Sequence, residues 1–173
     1  MTDYGLLAKQ IVSLAEVDAH WLPVLSNAAA LLWDALDDIN WAGFYLVDPV
    51  TVTGVEPDVA PSDHELRTPE LRLGPFQGKV ACVRIPFGRG VCGTAAATKT
   101  SQLIEDVHQF PGHIACDSAS NSEVVVPIFK DGQVVGVLDI DSPSVARFTQ
   151  EDLVGLKQVV KGLESCVNFS DFC

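Results

Sequence analysis

Positive charge is scarce in this chain. It has 11 lysines and arginines against 23 aspartates and glutamates, so 11 − 23 = −12. That balance argues against a nucleic-acid or anionic-membrane partner and is what a soluble protein shows. Long apolar runs are missing too. The longest, such as NAAALLW and VVVPIF, fall far short of the ~20 residues a bilayer requires. The opening MTDYGLLAKQ has no basic segment followed by an apolar core, so it does not read as a secretory signal. The expected compartment is the cytosol, where thiols are kept reduced. Paired metal-ligand motifs are also lacking. Cys82, Cys92, His108, His113 and Cys116 offer nitrogen and sulfur donors, but no C-x-x-C or H-x-x-x-H is present. Structural zinc sites usually show such pairs, so no metal is expected. There are no internal repeats.

What is present suits one globular domain spanning 1–173. The chain is 47% hydrophobic and 20% charged, and long enough to bury a core without disulfide staples. Residues 3–18 read as a helix with Thr2 as N-cap and Leu7, Ile11 and Leu14 as its apolar positions. A second helix covers roughly 20–38, with Trp21, Leu25, Ala28, Leu32 and Ala35 in one stripe. Residues 40–47 read as a strand; alternation puts Trp41, Gly43, Tyr45 and Val47 on one face and Phe44 and Leu46 on the other. A proline- and acid-rich stretch at about 49–69 reads as an exposed insert. Short strands are expected at 71–73 and 79–85. Strands at 123–129 and 133–141 flank Lys130-Asp131-Gly132, a hairpin signal. Thr149 and Asp152 open a final helix with Leu153, Leu156, Val160, Leu163 and Val167 as its stripe. The fold class is α+β, with a central antiparallel sheet and helices packed on it.

Five cysteines is an odd count without the spacing of a secreted framework. Cys92 follows Gly88-Arg89-Gly90, within a G-x-G-x-x-G string. The acids Glu105 and Asp106 come too soon after Gly93 for a dinucleotide site, and no βαβ pattern surrounds it. The better reading is a tight glycine turn feeding a helix at 92–98. A thiol in the first turn of a helix is favoured as thiolate; the competing reading is a small buried hydrophobe. Cys116 lies in a polar loop, where accessibility is expected. Cys82 sits in an apolar strand context and reads as packing, and Cys166 and Cys173 as bystanders. Asp139 and Asp141 share a strand face. Glu123 joins them or not depending on register. A two-residue turn pairing Lys130 with Gln133 sets Glu123 opposite Ile140, on the wrong face. A three-residue loop sets it opposite Asp139. Three carboxylates on one face would repel, raising at least one pKa and leaving a general acid.

Taken together, NWAGFYL, LGPFQGKVACVRIPFGRGVCGTA, EDVHQFPGHIACDSASNSEVVVPI and GVLDIDSP resemble the free methionine-(R)-sulfoxide reductases, single GAF-domain enzymes. The resemblance runs from the second helix to the last, apart from the insert, which replaces a short turn. It implies a GAF-like fold and an L-methionine (R)-S-oxide reductase. It implies three redox cysteines at Cys82, Cys92 and Cys116, and a substrate pocket of Trp41, Tyr45, Glu123, Asp139 and Asp141. In the chemistry so implied, a thiolate, Cys116 or Cys92, attacks the sulfoxide sulfur while one of the acids serves the oxygen. The sulfenic acid that forms is closed to a disulfide by a second thiol, Cys82 or Cys92, and a thioredoxin-like dithiol reopens it. The acids would also bind the amino group of a free amino acid. No cofactor is implied, and a homodimer is a family expectation.

Overall fold

The computed structural model describes residues 2–48, 69–114 and 117–169. The expected insert at 49–69 lies outside them but for Pro69, as do Cys116 and Cys173.

Six antiparallel strands form one sheet in the order β3-β2-β1-β6-β5-β4. They are β1 (Trp41–Asp48), β2 (Glu70–Gly78), β3 (Arg84–Pro86), β4 (Gln102–Ile104), β5 (Ser122–Lys130) and β6 (Gln133–Ser142). Helices α1 (Tyr4–Ala15), α2 (Trp21–Ala35) and α4 (Gln150–Cys166) cover one face; α3 (Gly90–Thr98) lies against the other. The strands alternate as their sequence demands. Ala42, Phe44, Leu46, Val124, Val126, Leu138 and Ile140 point into the main core under α1, α2 and α4. Trp41, Tyr45, Val125 and Val137 point into a smaller core beneath α3. Every stripe residue expected on α4 is buried, and its start is a capping box: Thr149 Oγ1 accepts from the Asp152 amide at 3.2 Å, and Asp152 Oδ2 from the Thr149 amide at 2.8 Å.

Four local expectations are corrected. The N-cap of α1 is Asp3, whose Oδ1 accepts from the Leu6 amide at 2.9 Å; the Thr2 hydroxyl instead donates to the Ala35 carbonyl. The α1 stripe runs through Leu7, Ala8, Ile11 and Ala15, leaving Leu14 exposed. Strand β2 is longer than read, because Pro75 sits where the β1–β2 register shifts, a place where a strand tolerates proline. Residues 79–83, expected as strand, are not one. After Gly78 (φ 128°) the chain turns so that the Lys79 carbonyl accepts from the Trp41 indole at 3.2 Å, and pairing resumes only at Arg84.

Candidate active site

The register of the β5–β6 hairpin decides which acids meet. Asp131 and Gly132 both have positive φ (50° and 77°), as a two-residue type I′ turn requires, and Lys130 pairs with Gln133. Continued without interruption, that register would put Glu123 on the opposite face from the aspartates. It is interrupted: Phe129 pairs with Val134 but Ile128 pairs with Gly136, so Val135 is the extra residue of a β-bulge. The bulge advances the register by one, and Glu123 lies opposite Asp141. Neither register read from the sequence is the observed one. The carboxylates nevertheless share a face, since β1 pairs Trp41 with Asp141 and Gly43 with Asp139.

Around this floor the site closes from three sides. Phe76, Trp41 and Tyr45 form a stacked wall, with ring centroids 5.2 Å and 5.7 Å apart. Gly43 makes the wall possible, because a Cβ there would run into Phe76 and the Trp41 ring. Helix α3 brings Cys92, its third residue, to 3.9 Å (Sγ to Oε1) from Glu123. The glycine turn before it is as expected, with Gly88 and Gly90 at positive φ and the Gly88 amide donating to the Gly93 carbonyl. The third side is the segment carrying His113, Ile114, Asp117 and Ser120. Asp117 is held by the Ala119 amide (2.9 Å), the Asn40 amide (3.2 Å) and the Lys79 ammonium (3.4 Å), and the first of these leads in keeping its carboxyl below the usual range. Two adjoining hollows result. One is lined by Cys92, Ile114, Ser120 and Glu123, the other by Trp41, Tyr45, Val80 and Ala81; Asp117, Asp139 and Asp141 border both.

The electrostatics are those of buried, crowded acids. Burial, then the Asp139 and Asp141 charges, push Glu123 well up; burial and Asp139 do the same to Asp141. Burial raises Asp139 to about 6. The group therefore holds protons to higher pH than free carboxylates do. The thiol of Cys92 is likewise pushed well up, first by burial and then by Asp139 and Glu123. Of the two readings of Cys92, burial beside carboxylates favours the protonated thiol and works against the helix terminus. Asp139 Oδ1 is buried without a hydrogen-bond partner, an acceptor left open beside the pocket it lines.

These acids make the ligand-free protein less stable as pH rises. Between about pH 4 and 6 Asp139 keeps its proton in the folded state and loses it in the unfolded state. Stability is therefore fully present below the ordinary value of 3.8 and is lost as pH climbs through about 6. Thermal melting from pH 4 to 7 should show the decline, and Asp139→Asn should flatten it and raise the melting temperature at pH 7. An unchanged slope in that variant would assign the decline elsewhere.

Of the expected site residues, Trp41, Tyr45, Cys92, Glu123, Asp139 and Asp141 come together around one pocket. Cys82 packs half-buried against the same small core and is disulfide-bonded; Cys92 and Cys166 are free thiols. Cys116 lies outside the described residues, but Ile114 and Asp117 on either side of it line the pocket. One sulfur and two carboxylate oxygens, from Cys92, Glu123 and Asp139, lie within 4.8 Å of one another, a set able to hold a divalent cation. The thiol chemistry described below uses none. Asn40, Phe76, Lys79 and Asp117 were not singled out from the sequence, and His113 only as a metal donor. The string Phe110-Pro111-Gly112-His113, a type II turn signature, was the available signal for the last.

Residues 9–165 match the GAF domain family. The free methionine-R-sulfoxide reductase of Escherichia coli (strain K12) is 49% identical over 169 residues, which cover 98% of this chain and 91% of that protein. The chain belongs to the free methionine-(R)-sulfoxide reductase family. Its yeast relative of that name, from Saccharomyces cerevisiae, is 46% identical over 160 residues, 89% of this chain and 80% of that one. The fold of the Staphylococcus aureus fRMsr in complex with substrate superposes with a TM-score of 0.81 at 48% identity, covering 97% of each chain. This chain is an oxidoreductase. Among the described residues no helix is long and apolar enough to cross a membrane.

Proposed function

We propose that this protein reduces free L-methionine-(R)-sulfoxide to L-methionine by thiol chemistry, in the cytosol. The observation that carries the proposal is the carboxylate group of buried Glu123 and Asp139 and half-buried Asp141, set beside an aromatic wall and a cysteine, in a chain so similar to named reductases. The α-ammonium of a free amino acid supplies the positive charge and the donors the acids lack, including one for Asp139 Oδ1. Trp41 and Tyr45 give the methyl–sulfur end an apolar, polarisable surface.

The attack on sulfur falls to Cys116, as a thiolate. Cys92 is disfavoured as the attacking group because its surroundings hold the proton on its sulfur. As the new bond forms, Glu123 protonates the sulfoxide oxygen. Methionine departs reduced by two electrons, and Cys116 is left as a sulfenic acid. A second thiol then displaces water to form a disulfide. Cys82 is the natural partner: it is already in the disulfide state here, and Lys79, three residues before it, contacts Asp117, one residue after Cys116. A thioredoxin-like dithiol would reopen the bond by exchange. A homodimer built through the helices is the proposed assembly.

The amino group's part in binding gives a direct test. Methionine formation should be rapid from the free R-sulfoxide and at least about 100-fold slower from N-acetyl-methionine-R-sulfoxide, which has no ammonium to meet the acids. Equal rates for the two substrates would refute an acid-bound amino group.

A further inference from the structure

Glu123 gives up a proton in every turnover of the reaction just proposed, yet it is only 6% exposed and walled in by Cys92, Asp139 and Asp141. The overall balance is closed. The attacking thiol loses a proton on becoming a thiolate, and the sulfoxide oxygen gains one from Glu123. A proton must then be carried back to Glu123 before the next cycle. Of its acidic and thiol neighbours, Cys92 and Asp139 are enclosed with it and Asp141 is only partly so, and all three compete for the same proton.

The group on the solvent side is His113. Its Nε2 lies 3.9 Å from Glu123 Oε2, and its side chain is 15% exposed where that of Glu123 is 8%. The local sequence fixes this position. Pro111 and Gly112 (φ 73°) form a tight turn closed by a hydrogen bond from the His113 amide to the Phe110 carbonyl at 3.2 Å. Among the described residues, few charged or titratable groups surround His113. Glu123 faces it from β5, and His108 acts from the short 3-10 helix Val107–Gln109, its own ring engaged with Asn121 at 2.9 Å. Cys92, Asp139 and Asp141 lie beyond Glu123, on α3 and β6. Burial, then the charge of His108, holds the imidazole below its ordinary pKa, so it rests as the neutral ring, which can accept a proton at one nitrogen and release one from the other.

We propose that His113 is a positioning residue that relays protons between solvent and Glu123. This rests on the reading of Glu123 as the acid, and the experiment keeps the two apart. Wild type, His113→Asn and His113→Ala would be assayed for methionine formation under saturating dithiol across pH 6–9, with and without added imidazole. A wild type that makes no methionine sinks the functional reading itself. With an active wild type, both variants should lose at least about tenfold in kcat, increasingly so at high pH, with KM within about twofold. Imidazole should restore the alanine variant in a concentration-dependent way. Activity within twofold of wild type, or a loss that imidazole leaves unchanged, overturns the relay.

Discussion

Cys116→Ser should abolish turnover while leaving the fold and the pocket in place. A serine hydroxyl is not ionised near neutral pH and is a far weaker nucleophile toward sulfoxide sulfur than a thiolate, so the variant should form methionine no faster than buffer. Compared in the fully reduced state, the melting temperature should match that of wild type, because no disulfide is then lost and only one sulfur is exchanged for oxygen. The alternative nucleophile is close by, which makes the result informative. Cys92 sits in the first turn of α3, where unpaired amides and the helix dipole favour a thiolate, but burial and two carboxylates push its proton affinity the other way. Full activity in Cys116→Ser would move the attack to Cys92 and show that the pocket's electrostatics change on substrate binding.

Glu123→Gln should be the second severe loss, about 100- to 10,000-fold in kcat/KM, the range that general-acid catalysis supplies. Glutamine keeps the shape and can still hydrogen-bond the oxygen, but it has no proton to give. The stability readout separates this from damage. Glu123 is buried among like charges, so replacing it by a neutral isostere should leave the melting temperature at pH 7 equal or higher. Low activity with a lowered melting temperature would point to a packing role. Near-wild-type activity would pass the acid's role to Asp139 or Asp141.

How much of this was legible in the sequence varies by element. The two faces of β1 followed from period-two alternation alone, and the pocket aromatics Trp41 and Tyr45 lie where it put them. The grouping of Glu123 with the aspartates did not follow. Turn chemistry offered two starts for the hairpin, of which the two-residue turn is the observed one, but a bulge at Val135 reset the register, and nothing about a valine in a strand announces a bulge. The state of Cys92 was undecidable locally, because its helix position and its enclosure act in opposite directions. Enclosure depends on strands more than thirty residues away. Cys82 read as packing, which its place against the small core supports. A redox role for Cys82 is implied only by the family resemblance and is part of the proposal above.

The central claim is that one sulfoxide consumes two thiols of one chain. Fully reduced protein, freed of reductant, would be mixed with free methionine-R-sulfoxide, then alkylated and weighed, with methionine measured in the same sample. The expected result is one methionine and the loss of two alkylatable thiols per chain, with Cys82 and Cys116 as the residues protected. Unchanged thiols, whether or not the ligand binds, would contradict the claim and leave a binding module in place of a reductase.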